Sequence, residues 1–312
     1  MSSWTTKDIP NLTGKVAMAA GGTRGICLHT AIGLASAGAE VTILGSNFEH
    51  GENAIKFIKE KVPHAKLTYT QVDFASLKEI ADFAKNFNKN HVGLDILVNN
   101  AGIYTHNPLR KTCDGFESTF AVNHLAPFAL TAQLLPSLRK SASPRVVNVS
   151  SLSAYYARIW FDDIQFKKST WYLPTQVYAQ SKLANLSFTA ELQKRSDFNG
   201  WGLTAVSVMP GLVRTTLLEI EVDRYHIFGR FFKLAVLPWI SNSVEEGAQY
   251  SLFAATFQNV SPGALYGPPG SYFAYCGPIR KIWIPCEATD PEIGESLWLL
   301  SERMTQVKWP RG

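Results

Sequence analysis

Lys15 to Leu44, KVAMAAGGTRGICLHTAIGLASAGAEVTIL, decides the fold. Its first six residues are short and apolar enough for a buried strand. GGTRG cannot continue that strand, and Ile26 to Ala37 then shows the apolar recurrence of a helix, closed by Gly38. Glu40 to Leu44 follows at once as a second strand. Strand, glycine turn, helix and strand in this order make the mononucleotide-binding half of a doubly wound sheet. Gly21 and Gly25 let the backbone turn tightly and approach a pyrophosphate, which would sit on the helix N-terminus and its unpaired N–H groups.

The alternation continues outward. Lys66 to Val72 reads as a strand ending in Asp73, and Leu77 to Phe87 as a helix. Leu94 to Val98 is an apolar strand followed by Asn99, Asn100, Ala101 and Gly102. Phe116 to Arg139 is a long helical stretch carrying Asn123 and interrupted near Pro127; Arg145 to Val149 is a strand closing on Ser150 and Ser151. Leu203 to Val208 is a sixth strand, ending in Pro210 and Gly211. Strands rich in Val, Ile and Leu and separated by helices imply an α/β fold with a parallel sheet covered on both faces. Ligands of such sheets lie at the carboxyl ends of the strands, where Asp73, Asn99 to Gly102, Ser151 and Pro210 to Thr215 fall. No repeat, low-complexity run or linker divides residues 1–312, so one domain is expected, with residues 1–14 as an N-terminal arm.

Bulk composition narrows the function. Of 312 residues 46% are apolar, enough for a large core. The net charge of +5 is dispersed, and no basic tract argues for nucleic acid. Cys27, Cys113, Cys276 and Cys286 lack metal-ligand spacing, and no HExxH occurs, so no metal is expected. With a polar start, MSSWTTKDIP, the cysteines read as reduced thiols of a cytoplasmic protein. Phe231 to Ile240 is the longest lipid-like stretch and is too short to span a bilayer.

Gln176 to Phe188, QVYAQSKLANLSF, carries the chemistry. Its helical periodicity puts Val177, Leu183, Leu186 and Phe188 toward a core. Tyr178 and Lys182, four apart, then share one face. A free phenol has a pKa of roughly 10, and a neighbouring ammonium moves it down. The pair is therefore a candidate acid/base device.

These features together resemble the short-chain dehydrogenase/reductase family, along essentially the whole chain. They are GGTRGIC, Asp73, NNAG at Asn99, Asn123, Ser151 in VNVSS, Tyr178-xxx-Lys182 and PGLVRT from Pro210. LVNNAGIY, FAVNHLAPFALT, SKLANLSFTAEL and LWLLSERMTQV are most similar to its retinol-dehydrogenase-like branch. The resemblance implies a Rossmann-type sheet and an Asn–Ser–Tyr–Lys group at Asn123, Ser151, Tyr178 and Lys182. Tyr178 would be the general acid or base. Ser151 would hydrogen-bond the carbonyl oxygen. Lys182 would hold the nicotinamide ribose and lower the Tyr178 pKa, and Asn123 would position a water linking Lys182 to solvent. Ser151 as a helix cap and Asn123 as an amide steadying a kink are the plainer readings. The implied cofactor contacts are Gly21, Thr23, Arg24, Gly25, Ile26, Ser46, Asn47, Asp73, Phe74, Asn100, Gly102, Tyr178, Lys182, Pro210, Val213 and Thr215. Two residues depart from the family pattern: Ala20 where Thr is usual, and Cys27 where a third glycine allows close helix–strand packing. Either Cys27 displaces the helix or it is small enough to fit.

An NAD site usually has an acid about 20 residues past the glycine turn. Here Gly45, Ser46 and Asn47 stand there, and Arg24 can pair with a 2′-phosphate, which favours NADP(H). Residues 152–177 contain Tyr155, Tyr156, Trp160, Phe161, Phe166, Trp171 and Tyr172. Residues 216–243 contain Leu217, Leu218, Tyr225, Phe228, Phe231, Phe232 and Trp239. As substrate-side loops they imply a bulky hydrophobic carbonyl or alcohol, with Trp160 and Trp171 beside Ser151 and Tyr178. They can equally pack among themselves or form the face of a homodimer. A non-catalytic NADP-binding regulator or scaffold of the same fold is the competing reading.

Overall fold

A computed structural model describes residues 4–105, 108–168, 172–214, 241–269 and 276–310. Its centre is an eight-stranded sheet. The first half alternates strictly: β1 Val16–Ala20, α1 Gly25–Ser36, β2 Glu40–Gly45, α2 Phe48–Lys61, β3 Lys66–Gln71, α3 Leu77–Asn90 and β4 Ile96–Asn99. Then come α4 Ala126–Leu138, β5 Arg145–Val149, α5 Pro174–Asn199, β6 Thr204–Val208, α6 Val244–Thr256, β7 Leu265–Gly267, β8 Arg280–Ile282 and α7 Pro291–Thr305. The strand order is β3-β2-β1-β4-β5-β6-β7-β8, so the chain crosses over between β3 and β4 beside β1. All neighbours pair in parallel, as expected of the doubly wound fold, except β7 and β8, which pair antiparallel at one edge.

Each strand's sequence matches its place. The central strands are buried almost throughout because helices cover both faces. KLTYTQ of β3 is polar at alternate positions and forms an edge. One face is packed by α3, α4 and α5, with Phe83, Phe87, Phe128 and Phe188. The other is packed by α1 and α6, with Leu34, Tyr250 and Phe253.

The structure adds detail at four expected boundaries. The N-terminal arm is not simply extended: Thr6–Asp8 forms a turn of 3-10 helix closed by a Thr5–Asp8 capping box, and Trp4 meets Phe253 edge-on at 5.5 Å. The helical stretch around Asn123 breaks at Ala121–Leu125, a π turn, while Pro127 is accommodated in the first turn of α4. Helix α5 begins at Pro174, a residue suited to a first turn, so the loop before it ends at Leu173. Ser243 already caps α6, its hydroxyl accepting from the Glu246 N–H.

Helix α7 closes the α4–α5 face. Asp290 caps it and Trp298 is driven against Phe128 at 5.1 Å, Phe188 at 6.0 Å and Trp309 at 4.6 Å. Among the described residues no helix is long and apolar enough to cross a membrane.

Cys27 fits where a glycine was expected. It is wholly buried, α1 starts at Gly25, and the thiol donates to the Ala20 carbonyl at 3.6 Å. Burial pushes that thiol up to about 12. Cys113, Cys276 and Cys286 are exposed, and all four cysteines are free. A disulfide reagent at neutral pH is expected to label those three promptly and Cys27 only after unfolding, because thiolate is the reactive form. Prompt labelling of Cys27 would contradict the packing of α1 on β1.

Candidate active site

The carboxyl ends of β1, β2 and β4 form the floor. Gly21 and Gly22 N–H groups both donate to the Leu44 carbonyl, at 2.9 and 3.1 Å, and Asn100 N–H donates to the Ala20 carbonyl at 3.2 Å. The turn after β1 is thereby held between its two neighbours. Gly21 has φ +87°, and a Cβ there would stand 2.7 Å from the Ala101 Cα, so only glycine fits. Gly25 has φ +59° with open space above it, beside the first N–H groups of α1, which have no acceptor within the helix. This cradle fits a pyrophosphate.

Asn123 belongs to the π turn and is fully buried. Its amide donates to the Ile103 carbonyl at 3.0 Å and to Ser181 Oγ at 3.0 Å, while its Oδ1 accepts the Ile103 N–H at 2.8 Å. The side chain thus steadies the loop after β4 and ties it to α5, rather than bonding within the kink itself. Its main-chain carbonyl is different: Pro127, four residues on, has no N–H to offer it. A Cβ on Gly102 would stand 3.3 Å from Lys182 Nζ and 3.4 Å from Asn123 Oδ1, so the missing side chain leaves room where these groups converge.

Tyr178 and Lys182 lie one turn apart on α5, with the amine 5.6 Å from the phenol ring centre. Val177, Leu183, Leu186 and Phe188 are buried as expected. Ser151 caps the short turn Leu152–Tyr156, its hydroxyl accepting the Ser153 N–H at 3.4 Å, and that hydroxyl also acts on the Tyr178 phenol, favouring its ionised form. Lys182 is 4% exposed and donates to the Val149 carbonyl at 3.2 Å. The phenol pKa runs against expectation. Burial raises it, the Ser151 hydroxyl lowers it, and the neighbouring Tyr104 phenol raises it. Lys182 does not depress it, since burial brings the amine itself down to about 8.

The remaining expected residues are dispersed around the floor. Arg24 is exposed at the N-cap of α1 and makes no ion pair among the described residues. Ser46 and Asn47 are exposed at the end of β2, next to the Gly21 turn, and the Asn47 oxygen caps α2 at 2.9 Å. Thr23 lies against Gly45, where a Cβ would come within 2.6 Å of its methyl group. The Asp73 carboxylate accepts the Ala75 N–H at 2.9 Å, and Phe74 is buried in the core. A Cβ on Gly247 of α6 would meet Val213 at 2.9 Å and Ile26 at 3.3 Å, so the segment after β6 lies by the first turn of α1. Pro210 accepts from the Asn242 amide at 2.8 Å. Trp160 is half exposed, and its N–H donates to Gln180 at 2.9 Å. Trp171, Thr215 and the aromatic run from Leu217 to Trp239 lie outside the described residues.

Sequence reading missed two groups. Thr131, Asn99, Asn148, Thr189 and Ser207 form a buried chain of side-chain hydrogen bonds of 2.7–3.0 Å beneath the site. Apolar strands punctuated by Asn and Ser at matching registers were its only signal. Tyr104, its ring 5.5 Å from that of Tyr178, was signalled only by following NNAG.

Residues 15–163 match the short chain dehydrogenase family. Retinol dehydrogenase 12 of Mus musculus is 36% identical over 304 residues, covering 96% of this chain and 88% of that protein. Polyprenol dehydrogenase of Homo sapiens is 35% identical over 303 residues, with 96% and 87% covered. A crystal structure of a protein from Mycobacterium paratuberculosis, described as uncharacterised, superposes with a TM-score of 0.80 at 32% identity, covering 99% of this chain and 100% of that one. With the sheet order, the glycine cradle and the Ser151–Tyr178–Lys182 cluster, these likenesses make the chain an oxidoreductase of the short-chain dehydrogenase family, on its retinol-dehydrogenase-like branch.

Proposed function

We propose that this protein interconverts a carbonyl and an alcohol on a bulky hydrophobic substrate, using NADP(H) and the residues Asn123, Ser151, Tyr178 and Lys182. The observation that carries the reading is the buried Lys182 amine 5.6 Å from the Tyr178 ring, one turn along the same helix, with the Ser151 hydroxyl acting on the phenol. When bound, the nicotinamide supplies or accepts the hydride. Tyr178 gives its proton to the carbonyl oxygen in reduction and takes it back in oxidation. Ser151 donates a hydrogen bond to the same oxygen as charge develops there. Lys182 holds the nicotinamide ribose. Asn123, in the π turn beside Gly102 and Lys182, positions a water through which Lys182 passes protons to solvent.

Arg24 supports NADP(H). It stands exposed in the turn after β1, a turn bonded to the end of β2 at Leu44, and positions 45–47 that follow hold no acid to oppose a 2′-phosphate. The substrate reading rests on exposed apolar side chains of the segment between β5 and α5: Tyr156, Trp160, Phe161 and Leu173. Tyr155 joins that segment to Trp283, stacking at 5.6 Å and donating to its carbonyl at 2.6 Å. Four free thiols accord with a reducing, cytoplasmic setting.

Arg24→Ala is expected to weaken NADPH and leave NADH nearly unchanged. One charge-assisted contact is worth about 1.5–3 kcal/mol, roughly one to two decades in affinity. Fluorescence titration with both cofactors measures this, and equal losses would remove Arg24 from the phosphate site.

Tyr178→Phe should keep NADPH binding while carbonyl reduction falls by about 10² to 10⁴. A screen of bulky and small carbonyls against NADPH consumption provides the assay; a parent protein that binds NADPH but reduces none of them would be the idle regulator. In the parent, the raised phenol pKa keeps Tyr178 protonated at neutral pH. Reduction should therefore hold through the neutral range and decline in alkali, whereas oxidation should gain with rising pH. The reverse order would exclude Tyr178 as the proton donor.

A further inference from the structure

The loop after β4 is held at two points that flank a single residue. On one side, Ile103 exchanges two hydrogen bonds with the buried Asn123 amide, at 2.8 and 3.0 Å. On the other, the Thr105 hydroxyl meets Thr119 Oγ1 at 2.7 Å and the Tyr172 hydroxyl at 2.8 Å. The second clamp has its own anchor. Tyr172 donates to Glu117 at 3.0 Å, and this fully buried carboxylate accepts the N–H groups of Thr119 at 2.7 Å and Phe120 at 2.6 Å. A buried carboxylate without a cation is costly unless such donors surround it, so breaking the clamp would leave polar groups stranded. Tyr104, between the clamps, cannot readily swing away. Its ring faces that of Tyr178 at 5.5 Å and 60°.

A substrate oxygen that takes the Tyr178 proton has its carbon one bond beyond the phenol, and the Tyr104 ring stands 5.5 Å from the Tyr178 ring. We propose that Tyr104 is a specificity-determining residue of this site, its ring being the wall on which the apolar group attached to the reacting carbon packs. The inference rests on Tyr178 being the proton donor. An aromatic ring at this separation favours another flat group in offset or edge-on packing. A ring on the carbonyl carbon should gain from Tyr104, and a short alkyl group should not. Tyr104 also carries a second, electrostatic effect, since its phenol helps hold the Tyr178 pKa up.

The test compares benzaldehyde with propanal under NADPH, in the parent, Tyr104→Ala and Tyr104→Phe. At neutral pH, Tyr104→Ala should raise KM for benzaldehyde by about three- to tenfold, the value of one aromatic contact, with kcat and the propanal KM nearly kept; in alkali it should share the shifted decline of Tyr104→Phe. Tyr104→Phe should keep both KM values yet move the alkaline decline of reduction to lower pH, because losing the phenol lets the Tyr178 pKa fall. Binding of 4-fluorobenzyl alcohol to the NADP⁺ complex, followed by fluorine NMR, gives a readout independent of turnover and should weaken in Tyr104→Ala. Equal changes for the two aldehydes, or an unmoved pH profile with an unchanged KM ratio, would overturn the assignment of Tyr104 alone. A parent protein that neither reduces a carbonyl nor binds the alcohol would overturn the reading of the whole site, and this inference with it.

Discussion

An amine buried to 4% exposure is the constraint from which the site follows. Water is the natural environment of an ammonium, and withdrawing it favours the neutral form. Lys182 keeps one protein acceptor, the Val149 carbonyl, so β5 has to end where that carbonyl turns toward α5. The junction is fixed from the other side as well: Ser150 donates its hydroxyl to the Lys182 carbonyl at 2.7 Å, and its own N–H bonds to Val208 of β6. Strand exit and helix are thus joined within two residues of Ser151. Gly102 completes the arrangement by having no side chain where the amine lies.

Beneath this, the sheet is stitched by polar groups rather than by packing alone. The amides of Asn99 and Asn148 and the hydroxyls of Thr131, Thr189 and Ser207 connect α4, β4, β5, α5 and β6 in one buried run. Such a run is favourable only when its members find partners, and it penalises a register slip that apolar contacts would tolerate. The side chains above it gain their relative positions from this register.

What the sequence made legible depended on range. The first six strands and α1, α3 and α5 show in local periodicity, and the Tyr178–Lys182 pair is legible because i and i+4 always share a helix face. The two three-residue strands β7 and β8 are too short to carry a period. The interruption near Pro127 was legible because proline marks a break in the chain, whereas the π turn at Ala121–Leu125 was not, since the bonding that defines it is seen only in three dimensions. The direction of the Tyr178 pKa was missed for a related reason. Adjacency on a helix shows that a lysine is near, but not that burial acts more strongly and on both groups. That Cys27 is small enough to fit was the favoured reading of the sequence, and the contact that accommodates it, its thiol on the Ala20 carbonyl, is visible only in the fold.

His124, next to Asn123 in the π turn, has its Nε2 2.8 Å from Ser301 Oγ of α7, which lies 177 residues further along the chain. Burial brings this imidazole down to about 3, so it is a neutral hydrogen-bonding group at any physiological pH. During synthesis, β1 to β5 and α5 leave the ribosome well before Ser301 and Trp298 do. A domain folds as a unit, so the His124 side of that turn has its cover only once the C-terminal helix is present. The turn that carries Asn123 thus depends for its packing on a helix that touches none of the reacting atoms.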